Sequence, residues 1–84
     1  MEKVFITKVL ANKETIKSIG LFDKEAKKLF VPFVSKKGTP MISVVDYDYC
    51  TKTDNGYCLE VVTITDEDRH FVNVYYVNPV KGDK

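Results

Sequence analysis

The stretch Val44-Val45-Asp46-Tyr47-Asp48-Tyr49-Cys50-Thr51-Lys52-Thr53-Asp54-Asn55-Gly56-Tyr57-Cys58-Leu59-Glu60-Val61-Val62 decides the fold class. Two β-rich runs flank Asp54-Asn55-Gly56, and Asn-Gly readily supplies the positive φ angles of a tight hairpin. The spacing predicts paired strands over 41–53 and 57–65. With Asp54–Gly56 as a three-residue loop, Thr53 faces Tyr57, Thr51 faces Leu59 and Tyr49 faces Val61. A second turn centred between Glu67 and Asp68 sets Thr63 opposite Val72, Val61 opposite Val74 and Leu59 opposite Tyr76. One face of this unit reads Val45, Tyr47, Tyr49, Leu59, Val61, Val72, Val74 and Tyr76, the expected core face. The other reads Asp46, Asp48, Glu60, Val62, Ile64, Phe71, Asn73 and Tyr75. A slip of one residue exchanges the faces of a strand, so both lists depend on the turns.

Outward from this hairpin the chain repeats the pattern. Turn signals fall at Asn12-Lys13, Asp23-Lys24-Glu25, Lys37-Gly38-Thr39-Pro40 and Asp66-Glu67-Asp68. They bound β-rich segments at 3–10, 15–22, 28–35, 41–50, 57–65 and 70–78. Twelve Val and seven Thr favour strands, because β-branched side chains are stiff at χ1 and pack well on a pleated surface. Short strands at this spacing predict a mostly-β domain, an antiparallel meander of five to six strands forming a partly open barrel or small sandwich. Residues 22–34 also admit a helix, since Phe22, Ala26, Leu29, Phe30 and Phe33 form a helical stripe with Asp23 as N-cap. That alternative is α+β, one short helix near 23–31 packed on a three- to four-stranded antiparallel sheet. The hairpin is preferred, because Val31-Pro32-Phe33-Val34 favours extended backbone. Centred on Glu25, it pairs Ile19 with Val31 and Leu21 with Leu29, giving a core face of Ile19, Leu21, Leu29, Val31 and Phe33.

The 84 residues make one domain, 1–84, with a flexible tail expected at 81–84. No apolar run reaches membrane-spanning length, and Lys8, Lys13, Glu14 and Lys17 interrupt any leader-like core, so a cytoplasmic protein is expected. The net charge is +1, with an asymmetry beneath it. Residues 1–45 carry nine lysines against four acids; residues 46–84 carry four basic residues against eight acids. If the halves separate in space, the molecule has a basic and an acidic side. Twelve of the 13 basic residues are Lys, which recognises phosphates and base edges less specifically than Arg.

Chemistry-bearing motifs are sparse. Cys50 and Cys58 do not face each other in the register above, and with His70 as the sole histidine they cannot complete a structural zinc site. Two free thiols are expected. Counting calcium-loop positions from Asp46 finds Thr51 where glycine is needed and Tyr57 where glutamate is needed; counting from Asp66 finds Phe71 and Val77. The four glycines are scattered, which excludes a phosphate cradle, and Ser18, Ser35 and Ser43 lack a nucleophile-elbow setting. No enzyme, metal or cofactor is expected.

Two functions remain. The first is a small non-catalytic interaction protein of inhibitor or adaptor type, a description that many phage and mobile-element proteins answer; if viral, it would act in the host cytoplasm. It would bind a larger protein with a basic surface through Asp46, Asp48, Glu60, Phe71, Asn73 and Tyr75, imitating nucleic acid. The plain alternative for that face is ordinary solvation. The second is a nucleic-acid-binding small β-barrel using Lys8, Lys13, Lys17, Lys27, Lys28, Lys36 and Lys37, with Phe30 or Phe33 as stacking surface.

Overall fold

The computed structural model describes residues 1–10 and 12–80. Seven antiparallel strands form one sheet: β1 (Glu2–Val9), β2 (Thr15–Asp23), β3 (Lys28–Val34), β4 (Pro40–Asp46), β5 (Tyr49–Lys52), β6 (Tyr57–Ile64) and β7 (His70–Pro79). Their spatial order is β4-β3-β2-β1-β7-β6-β5. The mostly-β reading therefore stands, and residues 28–34 are a strand rather than the end of a helix. Seven strands replace the expected five to six because the 41–50 run breaks at Tyr47–Asp48. Among the described residues no helix is long and apolar enough to cross a membrane. The expected flexible tail at 81–84 lies outside the described residues.

The break between β4 and β5 controls the shape. These strands occupy opposite edges of the sheet, yet only Tyr47 and Asp48 separate them in the chain. Three peptide steps reach about 11 Å. In a flat sheet the edges of seven strands would lie about 29 Å apart. The sheet must curl until its edges meet at this corner, and the result is an open half-barrel. Asp48 secures the corner: its main-chain N–H donates to the Glu60 carbonyl (2.8 Å), and its Oδ2 accepts the Val62 N–H (2.7 Å).

Each of three hairpins differs by one residue from the register read from the sequence. Tyr49 opposes Glu60 and Cys50 opposes Leu59. The loop there holds four residues, with the Thr53 N–H donating to the Gly56 carbonyl (2.9 Å) and the Gly56 N–H to Thr53 Oγ1 (3.0 Å). Gly56 does not take the expected positive φ. In the β6–β7 hairpin Leu59 opposes Tyr75 and Val61 opposes Asn73, because the turn centres on Glu67 with Asp68 at φ 60°. Between β2 and β3, Leu21 opposes Phe30 and Phe22 opposes Leu29, with Lys27 at φ 60° and Asp23 Oδ1 accepting the Ala26 N–H (3.0 Å).

These shifts decide which side chains enter the trough. Val4, Ile6, Phe22, Leu29, Tyr47, Leu59, Tyr75 and Val77 are its buried core, with Val31, Val45, Tyr57 and Val61 packed against it. Leu59, Val61, Val45 and Tyr47 are inside as expected, whereas Tyr49, Val72 and Tyr76 are exposed. Ile19 and Leu21, expected in the core, are exposed, and Phe22 is buried instead. Gly20 sits where β2 crosses closest to β3: a Cβ there would meet the Phe30 carbonyl and lie 2.7 Å from Ile6 Cδ1. Beyond this point the two strands part, and their pairing is confined to Leu21–Asp23.

Candidate functional site

The sheet order keeps β4, β3, β2 and β1 together and β7, β6 and β5 together. The lysine-rich and acid-rich halves of the sequence are thus two contiguous regions of one sheet.

The acidic set does not form the single face expected of it. Glu60 pairs with Val74 and lies on the convex side, whereas Tyr75 pairs with Leu59 and is buried in the trough. Asn73 and Phe71 follow the alternation of Tyr75 and share its side. Asp46 lies on the convex side at the far end of the sheet order and makes an exposed ion pair with Lys28 (2.6 Å). Asp48 is committed to the main chain of β6. The physical cause is the one-residue shift of the β6–β7 turn, which rotates β7 by one face.

The lysines are dispersed as well. Lys13 and the pair Lys36, Lys37 occupy turns at the end of the sheet where β1 and β3 finish; Lys27 occupies a turn at the other end. Lys17 and Lys28 are on the convex side, and Lys28 is paired with Asp46. Lys8 is inside the trough, its Nζ 5.6 Å from the Tyr75 ring centroid. Phe33 borders the trough and Phe30 the convex face, so they do not make one stacking surface.

Aromatic rings close one end of the trough. Phe22 lies 5.9 Å from Tyr47 and 5.6 Å from Tyr57, centroid to centroid, in tilted contacts. Lys24 Nζ stands 4.8 Å over the Tyr57 ring and 3.3 Å from its hydroxyl, a hydrogen bond that raises the Lys24 pKa. Burial raises the Tyr47 phenol above its usual range. Cys50 and Cys58 are free. Cys50 opposes Leu59 and points into the trough side, while Cys58 opposes Thr51 on the other face. Burial, then the nearby Glu60 charge, pushes the Cys58 thiol up. Among the described residues no three His, Cys, Asp or Glu side chains converge.

The convex face of β1–β4 carries the feature that the turn-based reading missed. Phe5 opposes Ile19, Leu21 opposes Phe30, and Phe30 opposes Val44, all on that side, with Ile42 opposite Pro32 beside them. Phe5, Ile19, Leu21, Ile42 and Val44 are 41–64% exposed.

No family model, no curated protein and no solved structure matches this chain.

The apolar patch had a signal in the sequence. The run Leu29-Phe30-Val31-Pro32-Phe33-Val34 is apolar at successive positions, so a strand there must present apolar side chains on both faces. In an exposed antiparallel sheet one of those faces has no cover within the chain. Lys3 and Lys17 border the patch on β1 and β2.

Proposed function

We propose that this protein is a small non-catalytic interaction protein whose convex β1–β4 face docks on a protein partner. The row Phe5, Ile19, Leu21, Ile42 and Val44, exposed together on one sheet face, carries the reading. Contiguous apolar surface of this kind is a mark of interfaces, and scattered single residues are not.

Lys3 and Lys17 at the border suit an acidic rim around an apolar surface on the partner, the reverse of the basic partner that the acidic set would need. Affinity capture from the source cells tests the choice. The parent chain should retain a partner that the Ile19→Lys, Val44→Lys double variant releases and that Glu60→Lys keeps. The opposite pattern would return the working surface to the acids. A parent that captures no protein and sediments as a monomer would overturn the reading.

A further inference from the structure

One end of the trough is plugged by Phe22, Tyr47 and Tyr57; the other holds a cavity of about 350 Å³ above the core. It lies on the opposite side of the sheet from the docking face and does not depend on it. Lys8, Ile16 and Tyr75 form one wall, and Val31, Phe33 and Val45 the other. The space exists because β2 and β3 part beyond Gly20, leaving the two walls unbridged by main-chain pairing. Its volume falls within the about 300–1,000 Å³ range of small-molecule sites.

The lining is apolar with one charge. Lys8 is the charged side chain among the described lining residues, half-buried with its amine over the Tyr75 ring. Among the described residues no carboxylate pairs with it. An ammonium bordered by apolar walls is served best by an anion, since low-dielectric walls strengthen their attraction relative to water. The hydroxyls of Ser18 and Ser43 add donors at the same rim. We propose that this cavity binds a medium-chain fatty carboxylate, with the carboxylate on Lys8 and the alkyl chain between Ile16, Val31, Phe33 and Val45.

Titration of the full chain with decanoate, decanol and decyltrimethylammonium, followed by calorimetry and by amide chemical shifts, tests it. Decanoate should bind saturably and shift the amides of β2 and β3, with decanol weaker and the cationic amphiphile unbound. Lys8→Gln should weaken decanoate by about tenfold or more, and Lys8→Arg should retain it. Ser43→Phe, at an exposed rim position that tolerates substitution, should exclude the ligand while the melting temperature holds. Lys17→Gln, on the convex side, should leave binding unchanged. Equal binding of decanol and decanoate, insensitivity to both Lys8→Gln and Ser43→Phe, or no saturable binding at millimolar ligand would each overturn the proposal.

Discussion

Two glycines show how different physical demands select the same residue. Gly38 sits at φ 84° in the β3–β4 turn with open space around it, so its requirement is conformational. Gly56 needs no special φ; a Cβ there would run into the Val77 carbonyl and approach Asn78 Cα at 3.0 Å. Gly38→Ala should cost about 1–2 kcal/mol, the penalty of a left-handed residue with a Cβ. Gly56→Ala should cost more, because main chain of β7 must move away and lose its pairing. Urea unfolding of both variants checks the order, and equal midpoints would mean that β7 does not pass so close. The thiols differ in the same local way. Cys50 is exposed, while burial holds Cys58 half-covered with a raised pKa and so a smaller thiolate fraction near neutral pH. A thiol reagent should modify Cys50 first and Cys58 more slowly in the native protein, and count two thiols after unfolding without reductant. Similar native rates would place Cys58 in the open.

At the scale of elements, the β4–β5 corner is the part on which the curvature depends. Asp48 accepts the Val62 N–H at 2.7 Å, where β6 has run past its partner β5. A charge-assisted hydrogen bond of this type contributes about 1.5–3 kcal/mol. Asp48→Ala should lose the larger part of that, and Asp46→Lys, which breaks an exposed ion pair, should lose about 0–1 kcal/mol. Thermal melts of the two variants distinguish these roles; a neutral Asp48→Ala would mean that the corner holds without it. Tyr47 adds a pH dependence to the same corner. Its phenol is raised in the folded chain by burial, so above the ordinary value near 10 the native state holds more protons than the unfolded one. The contribution is intact below pH 10 and is lost as pH rises through the folded pKa. Stability should fall on the alkaline side more steeply for the parent than for Tyr47→Phe, and parallel pH profiles would show that Tyr47 ionises without penalty.

For the whole molecule, a thin core carries a large sheet. Eight hydrophobic side chains are buried among the described residues, and Leu29 and Leu59 are fully enclosed. Folded domains of this length have total stabilities of about 4–13 kcal/mol. Leu29→Ala should remove about 2–5 kcal/mol, a large part of that total, since the trough walls cannot close over the vacancy. The isolated chain should then be partly unfolded at 37 °C by circular dichroism. A loss below about 1 kcal/mol would mean that the trough core around Leu29 is not what holds the sheet. The charge layout belongs to this scale too: the strand order keeps the basic and acidic halves of the sequence as neighbouring regions of one sheet.

Strand positions were legible because β-branched runs bounded by turn residues leave the backbone few alternatives. The segments 3–10, 15–22, 28–35 and 57–65 agree with β1, β2, β3 and β6 to within one residue at each end. Registers were not legible, because left-handed φ angles fall on Lys27 and Asp68 in two of the turns, and in the third the loop takes four residues, closed by Thr53–Gly56 hydrogen bonds, with no positive φ at Gly56. Each shift of one position then carried a whole strand to the other face, which is how Tyr75 entered the core and Ile19 and Leu21 reached solvent. Thus the acidic site read from alternation was divided, while the apolar run at 29–34 held the hint of a second uncovered face. By itself the sequence determined that the chain is mostly β with a basic and an acidic half, since propensity and charge act locally. Tertiary structure alone decided the curl, which follows from a two-residue link joining opposite edges of the sheet, the inward face, which follows from the turn registers, and the cavity, which opens where β2 and β3 part beyond Gly20.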